Sequence, residues 1–94
     1  MTILDTLSAV AVGLQAQGID ATVEYPGFLL LPTATGALNI GTANGMWEGD
    51  VMGDPPDEYL RPFPMAPLPL TAEAPAIIAA ILDGIARDAR GGTR

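Results

Sequence analysis

Five of the eleven acidic residues in this 94-residue chain lie within one short segment, and their carboxylates are the side chains best suited to chemistry. Paired carboxylates can act as general acid and base, and carboxylate oxygens are ligands that Ca²⁺ prefers. The spacing matches no metal-binding loop, however, and the consecutive prolines 55 and 56 divide the segment. We therefore favour a solvated acidic rim or a contact for a basic partner over catalysis or metal binding. The five residues are Glu48, Asp50, Asp54, Asp57 and Glu58.

The residue types that most other catalytic and cofactor sites need are absent from the chain. Without cysteine or histidine, the chain lacks thiolate chemistry, disulfide bonds and the usual zinc ligands. Ser8 is the only serine, and no histidine exists to activate it. The glycines from Gly41 to Gly49 fit neither the dinucleotide-binding nor the phosphate-loop pattern, and the chain has no lysine. We therefore expect a protein that is not an enzyme and that binds no cofactor and no metal.

The charge balance restricts the classes of partner. The net charge is −7, and the four basic residues are all arginines. Because nucleic acids and anionic membranes are bound through Lys and Arg, we expect neither to be a direct partner, whereas a basic protein is favoured. Since 49% of the residues are hydrophobic, some apolar surface should be covered by a partner or a second copy. The sequence shows no signal peptide and no membrane-spanning segment, which predicts a cytoplasmic protein.

A predicted β-hairpin over residues 37–52 positions the first two acids. Asn44 and Gly45 are the preferred residues of a two-residue type I′ turn, in which both positions need positive φ. With that turn, Thr42 pairs with Trp47 and Ile40 with Gly49. The apolar residues then share one face with Trp47 in the core, and the second face carries Asn39, Gly41, Glu48 and Asp50.

The rest of the chain predicts a single α+β domain over residues 1–94, with two helices and a four-stranded antiparallel meander. Thr2 and Asp5 form a capping box at the start of the first helix, and Gly18 ends it. The apolar run 28–31 does not alternate, which favours a central strand covered on both faces. Residues 91–94 should form a loose tail. The predicted elements outside the hairpin are a helix over 2–17, strands over 21–25 and 28–31, and a helix from 73–75 to about 90.

Residues 53–70 contain six prolines with apolar residues between them, and this spacing argues against a helix or a central strand. We predict an extended loop. Because it combines apolar and acidic side chains with stiffness, it should form the partner-binding surface together with the hairpin acids. Tyr59 and Phe63 are its expected aromatic anchors.

A small, acidic α-β-β-β-β-α domain carrying the Glu48–Glu58 cluster resembles the accessory proteins of phages and mobile elements, including anti-CRISPR inhibitors. The resemblance rests on size and on this cluster. It implies an inhibitor that occludes a basic nucleic-acid-binding protein. The alternative is a structural or assembly protein that forms a homodimer through its excess apolar surface.

Overall fold

The computed structural model describes residues 2–25, 27–33, 36–53 and 58–91. Within these ranges the chain forms two helices and one antiparallel sheet, which confirms the α+β class. The sheet has five strands in chain order rather than the predicted four. The elements are α1 (Ile3–Ala16), β1 (Thr22–Glu24), β2 (Phe28–Pro32), β3 (Ala37–Ala43), β4 (Met46–Met52), β5 (Tyr59–Pro69) and α2 (Ala74–Gly91).

The central hairpin has the predicted turn and register. Asn44 and Gly45 adopt positive φ angles of 53° and 76°, as the type I′ turn requires. Across β3 and β4, Thr42 pairs with Trp47, and the remaining pairs follow in the same register. The two faces of the hairpin are therefore those that the sequence predicts.

Both helices pack on the same face of the sheet and enclose the hydrophobic core. The predicted capping box of α1 is present: the Asp5 amide donates to the Thr2 hydroxyl at 3.1 Å, and the Thr2 amide donates to the Asp5 carboxylate at 3.2 Å. Gly18 follows α1 with a φ of 82°, which turns the chain toward the sheet. The largest fully buried side chains come from both helices and from the inner side of the strands: Leu7, Val10, Leu14, Leu29, Leu31, Ile40, Trp47, Ile77 and Ile81.

The proline-rich segment corrects the sequence prediction, because most of it is strand β5 rather than a loop. β5 pairs with β4 at the edge of the sheet. An edge strand needs backbone N–H donors only at alternate residues, so proline is tolerated at the others. The prolines at 62 and 64, and then at 67 and 69, occupy such alternate positions.

A bulge explains why these prolines change from even to odd positions. Trp47 and Gly49 lie two residues apart in β4, yet they pair with Leu68 and Phe63, which lie five residues apart in β5. The excess is an odd number of residues, so the alternation of N–H directions changes phase there. On both sides of the bulge the prolines thus remove donors from the free edge. This arrangement blocks strand addition by another chain.

We expect that P62T/P64T restores N–H donors to this edge and promotes self-association. Sedimentation equilibrium over a range of concentrations should show a weight-average mass that rises more steeply for this variant than for the wild type. Pro75 lies in the first turn of α2 and belongs to no strand. The control P75A should therefore behave as the wild type, and equal curves for all three proteins would contradict the role of the prolines.

Candidate protein-binding surface on the open face of the sheet

The sheet face opposite the helices carries side chains from all five strands. Leu29 and Leu31 point into the core, so their neighbours Phe28 and Leu30 point away from it. The registers of the other strands place the remaining outward residues on the same side. We call this surface the open face; its main residues are Glu24, Phe28, Leu30, Asn39, Gly41, Met46, Glu48, Asp50, Met52 and Tyr59.

The open face corrects the prediction that β2 is covered on both sides. β2 does lie inside the sheet, between β1 and β3. The two described helices, however, pack only on its inner side, and Phe28 and Leu30 remain half-buried on the other. Neighbouring side chains shield them in part. Their apolar surface is therefore available to a partner.

Charge on the open face has a single sign within the described residues. Glu24, Glu48 and Asp50 place carboxylates there, and no arginine joins them. The described arginines belong to the helix side. Arg61 Nη2 lies 3.1 Å from the Asp88 carboxylate of α2, and Arg87 Nε lies 2.8 Å from Asp83 in the same helix. Arg90 is in the last turn of α2.

The two hairpin acids flank a shallow hollow. Glu48 lies opposite Gly41, and Asp50 lies opposite Asn39. Because Gly41 has no side chain, a hollow of about 260 Å³ remains between these residues and Phe28. Carboxylate oxygens accept hydrogen bonds from ammonium and guanidinium groups, and an aromatic ring attracts a cation over its face. The hollow and its rim are thus suited to contact with long basic side chains.

The structure brings together some of the predicted partner-binding residues and separates others. Glu48 and Asp50 lie on the open face, with Tyr59 at its β5 edge opposite Met52. The Tyr59 residue is 56% exposed. Glu58 is exposed just before β5, where its carbonyl oxygen accepts a hydrogen bond from the Gly53 amide at 2.7 Å.

Of the three remaining predicted residues, the structure describes only Phe63, which does not join this surface. Asp54 and Asp57 lie outside the described residues. Phe63 pairs with Gly49 on the inner side of the sheet and is only 5% exposed. Its burial corrects its assignment as a partner contact, because a core side chain is not accessible to another protein.

The apolar part of the open face was missed by sequence reasoning. Met46 and Met52 alternate along β4 with the inward residues, as Glu48 and Asp50 do. The hairpin register therefore predicts that they lie on the same face as these two acids. Phe28 and Leu30 had no such signal. Their run is apolar at every position, and the sequence does not indicate which side of it the helices cover.

In comparisons with known proteins, no protein-family model, curated protein or solved structure matches the chain. In the described part of the chain, no helix is both long and apolar enough to cross a membrane. Among the same residues, no group of three or more acidic side chains is arranged to hold a metal ion. The open face therefore has to be interpreted from its own geometry and charge.

Proposed function

We propose that this protein is a non-catalytic binding module that uses the open face of its sheet to bind a basic protein. The observation that carries the proposal is the combination on one face of half-buried apolar side chains with carboxylates that no described basic residue neutralises. Apolar contacts at the centre of an interface give affinity, and charges at its rim give specificity and speed of association. Phe28 and Leu30 supply the first, and Glu48 and Asp50 the second.

The partner class follows from the sign of the charge. A surface with unpaired carboxylates repels acidic proteins and attracts those rich in Lys and Arg. Lys and Arg are concentrated on the surfaces of proteins that bind nucleic acids. We propose that the module occludes such a surface and thereby inhibits nucleic-acid binding. The anti-CRISPR inhibitors that the sequence resembles act in this way.

The alternative of a homodimer is less favoured for this face. Face-to-face pairing of two copies would oppose Glu24, Glu48 and Asp50 of one copy to the same residues of the other. Like charges placed opposite each other destabilise an interface. Light scattering at several protein concentrations checks this point. A stable dimer that E48Q/D50N strengthens would instead place the contact between copies on the open face and would favour the homodimer.

A lysine- and arginine-rich peptide tests the proposed surface directly. We expect NMR titration with such a peptide to perturb amides of β2, β3 and β4 whose residues lie on the open face. E48Q/D50N removes two charges from that face, and since an exposed ion pair contributes about 0.3–1 kcal/mol, binding should weaken about three- to thirtyfold. The affinity of the wild type should fall as ionic strength rises.

A matched control separates this surface from general attraction to an acidic protein. E73Q/D83N removes the same charge from Glu73, directly before α2, and from Asp83 within that helix. It should leave peptide affinity within about twofold of the wild type. Equal weakening by both double variants, or amide perturbations spread over both sides of the sheet, would contradict the proposal. Far-ultraviolet circular dichroism verifies that each variant is folded.

A further inference from the structure

A cleft of about 670 Å³ opens on the helix side of the sheet, well away from the open face. Its floor is formed by Leu31 and Leu38, which pair across β2 and β3, and by Phe63 of β5. One wall is the loop after α1 with Ile19, and the other is the C-terminal half of α2 with Ile85. The volume is within the range of about 300–1,000 Å³ that small-molecule sites occupy.

The charged residues that line the cleft are acidic. Asp20 and Asp88 are among its lining residues, and the described lining contains no basic residue. Arg61 compensates Asp88, with Nη2 3.1 Å from the carboxylate. Asp20 has no ion pair within the described residues. The helix α1 ends beside this cleft with no basic residue in its last turn, and a helix C-terminus carries a partial negative charge of about half a unit.

We propose that the cleft binds a small organic cation, with an apolar body on the floor of Leu31, Leu38 and Phe63 and an ammonium group near Asp20. The apolar floor excludes water and gives affinity, because buried apolar area contributes about 25 cal/mol per Å². The Asp20 carboxylate and the end of α1 select a positively charged ligand. This site is independent of the protein-binding surface on the other side of the sheet.

Three probes of similar size and different charge test the proposal: 4-phenylbutylammonium, 4-phenylbutanol and 4-phenylbutyrate. In NMR titrations the ammonium should bind most tightly, the alcohol about two- to fivefold more weakly, and the carboxylate most weakly of the three. The perturbed amides should include those of Ile19, Leu38 and Ile85. Equal affinities for the three probes, no binding of any probe, or perturbations on the open face would each overturn the proposal.

Two variants locate the binding within the cleft. Ala89 is an exposed lining residue of α2, so A89W fills the cleft without removing a core side chain and should abolish binding of the ammonium and the alcohol. D20N should reduce the affinity for the ammonium to that for the alcohol and leave the alcohol unchanged. E48Q, which removes one charge from the open face, should bind the ammonium as the wild type does. Unchanged binding by D20N would overturn the charge selection, whether or not A89W folds.

Discussion

Replacing Trp47 with alanine should lower the free energy of unfolding by about 3–5 kcal/mol, a large part of the stability of a domain of this size. Trp47 is the only tryptophan and the largest fully buried side chain, with 1% of its surface exposed. It lies between Thr42 of β3 and Leu68 of β5 on the face that both helices cover. Truncation at this position leaves a cavity in the core that neighbouring strands cannot close.

The indole N–H of Trp47 makes a second variant informative. Its Nε1 is buried and has no hydrogen-bond partner among the described residues. A buried donor without a partner costs about 1–3 kcal/mol, so W47F gains from removing it while it loses packing volume. We therefore expect W47F to be clearly more stable than W47A.

Urea unfolding monitored by far-ultraviolet circular dichroism measures both effects without the tryptophan signal. Tyr25 is 80% exposed, so the control Y25A should change stability by no more than about 0.5 kcal/mol. The fluorescence of the folded wild type should be blue-shifted and poorly quenched by iodide. A W47A variant as stable as Y25A would contradict the burial of Trp47 and the hairpin register with it.

The parts of the fold that the sequence could predict are those with local signals. The hairpin has a turn with one preferred conformation, Asn44-Gly45, and the register follows from it without reference to the rest of the chain. The same holds for α1, where Thr2 and Gly18 mark the two ends. Glu48 and Asp50 were consequently placed on the correct face.

The predictions that were wrong concern features that depend on the packing of elements distant in the sequence. Residues 59–69 carry no local pattern of a strand, since proline excludes them from the centre of a sheet and only the edge position beside β4 makes the strand possible. Because this segment was predicted as a loop, Phe63 was predicted to be an exposed anchor. The apolar half of the open face was hidden because the position of the helices, rather than the composition of β2, leaves Phe28 and Leu30 uncovered.

Replacing Phe63 with alanine should lower the free energy of unfolding by about 3–5 kcal/mol rather than change the dissociation rate of a partner. Its ring fills the space that two glycines leave, one in β4 and one in α2. A Cβ on Gly49 would lie 3.0 Å from Cδ2 of the ring, and a Cβ on Gly84 would lie 2.6 Å from Cζ. Chemical denaturation tests the loss directly, and the cleft probes should lose affinity because Phe63 is part of that floor.

A double-mutant cycle with Gly84 tests whether the ring and the helix are in direct contact. Alanine is favoured over glycine within a helix by about 0.5–1 kcal/mol, but at Gly84 the added methyl group collides with the ring, and such overpacking costs about 1–3 kcal/mol. G84A should therefore destabilise the wild type. In the F63A background only the approach of the new Cβ to the Pro64 carbonyl oxygen, at 3.1 Å, remains. The same change should then cost about 1–3 kcal/mol less than in the wild type, and this difference is the coupling energy.

Gly13 provides the matched control for this cycle. It is also a helix glycine, in α1, and a Cβ there would meet Cδ1 of Ile78. That atom is the end of a side chain that can change rotamer, whereas the Phe63 ring is held between a strand and a helix. G13A should thus be neutral or stabilise the protein by up to about 1 kcal/mol in either background. If G84A has the same effect with and without the ring, α2 does not pack on β5 through Phe63, and the floor of the cleft must be formed differently.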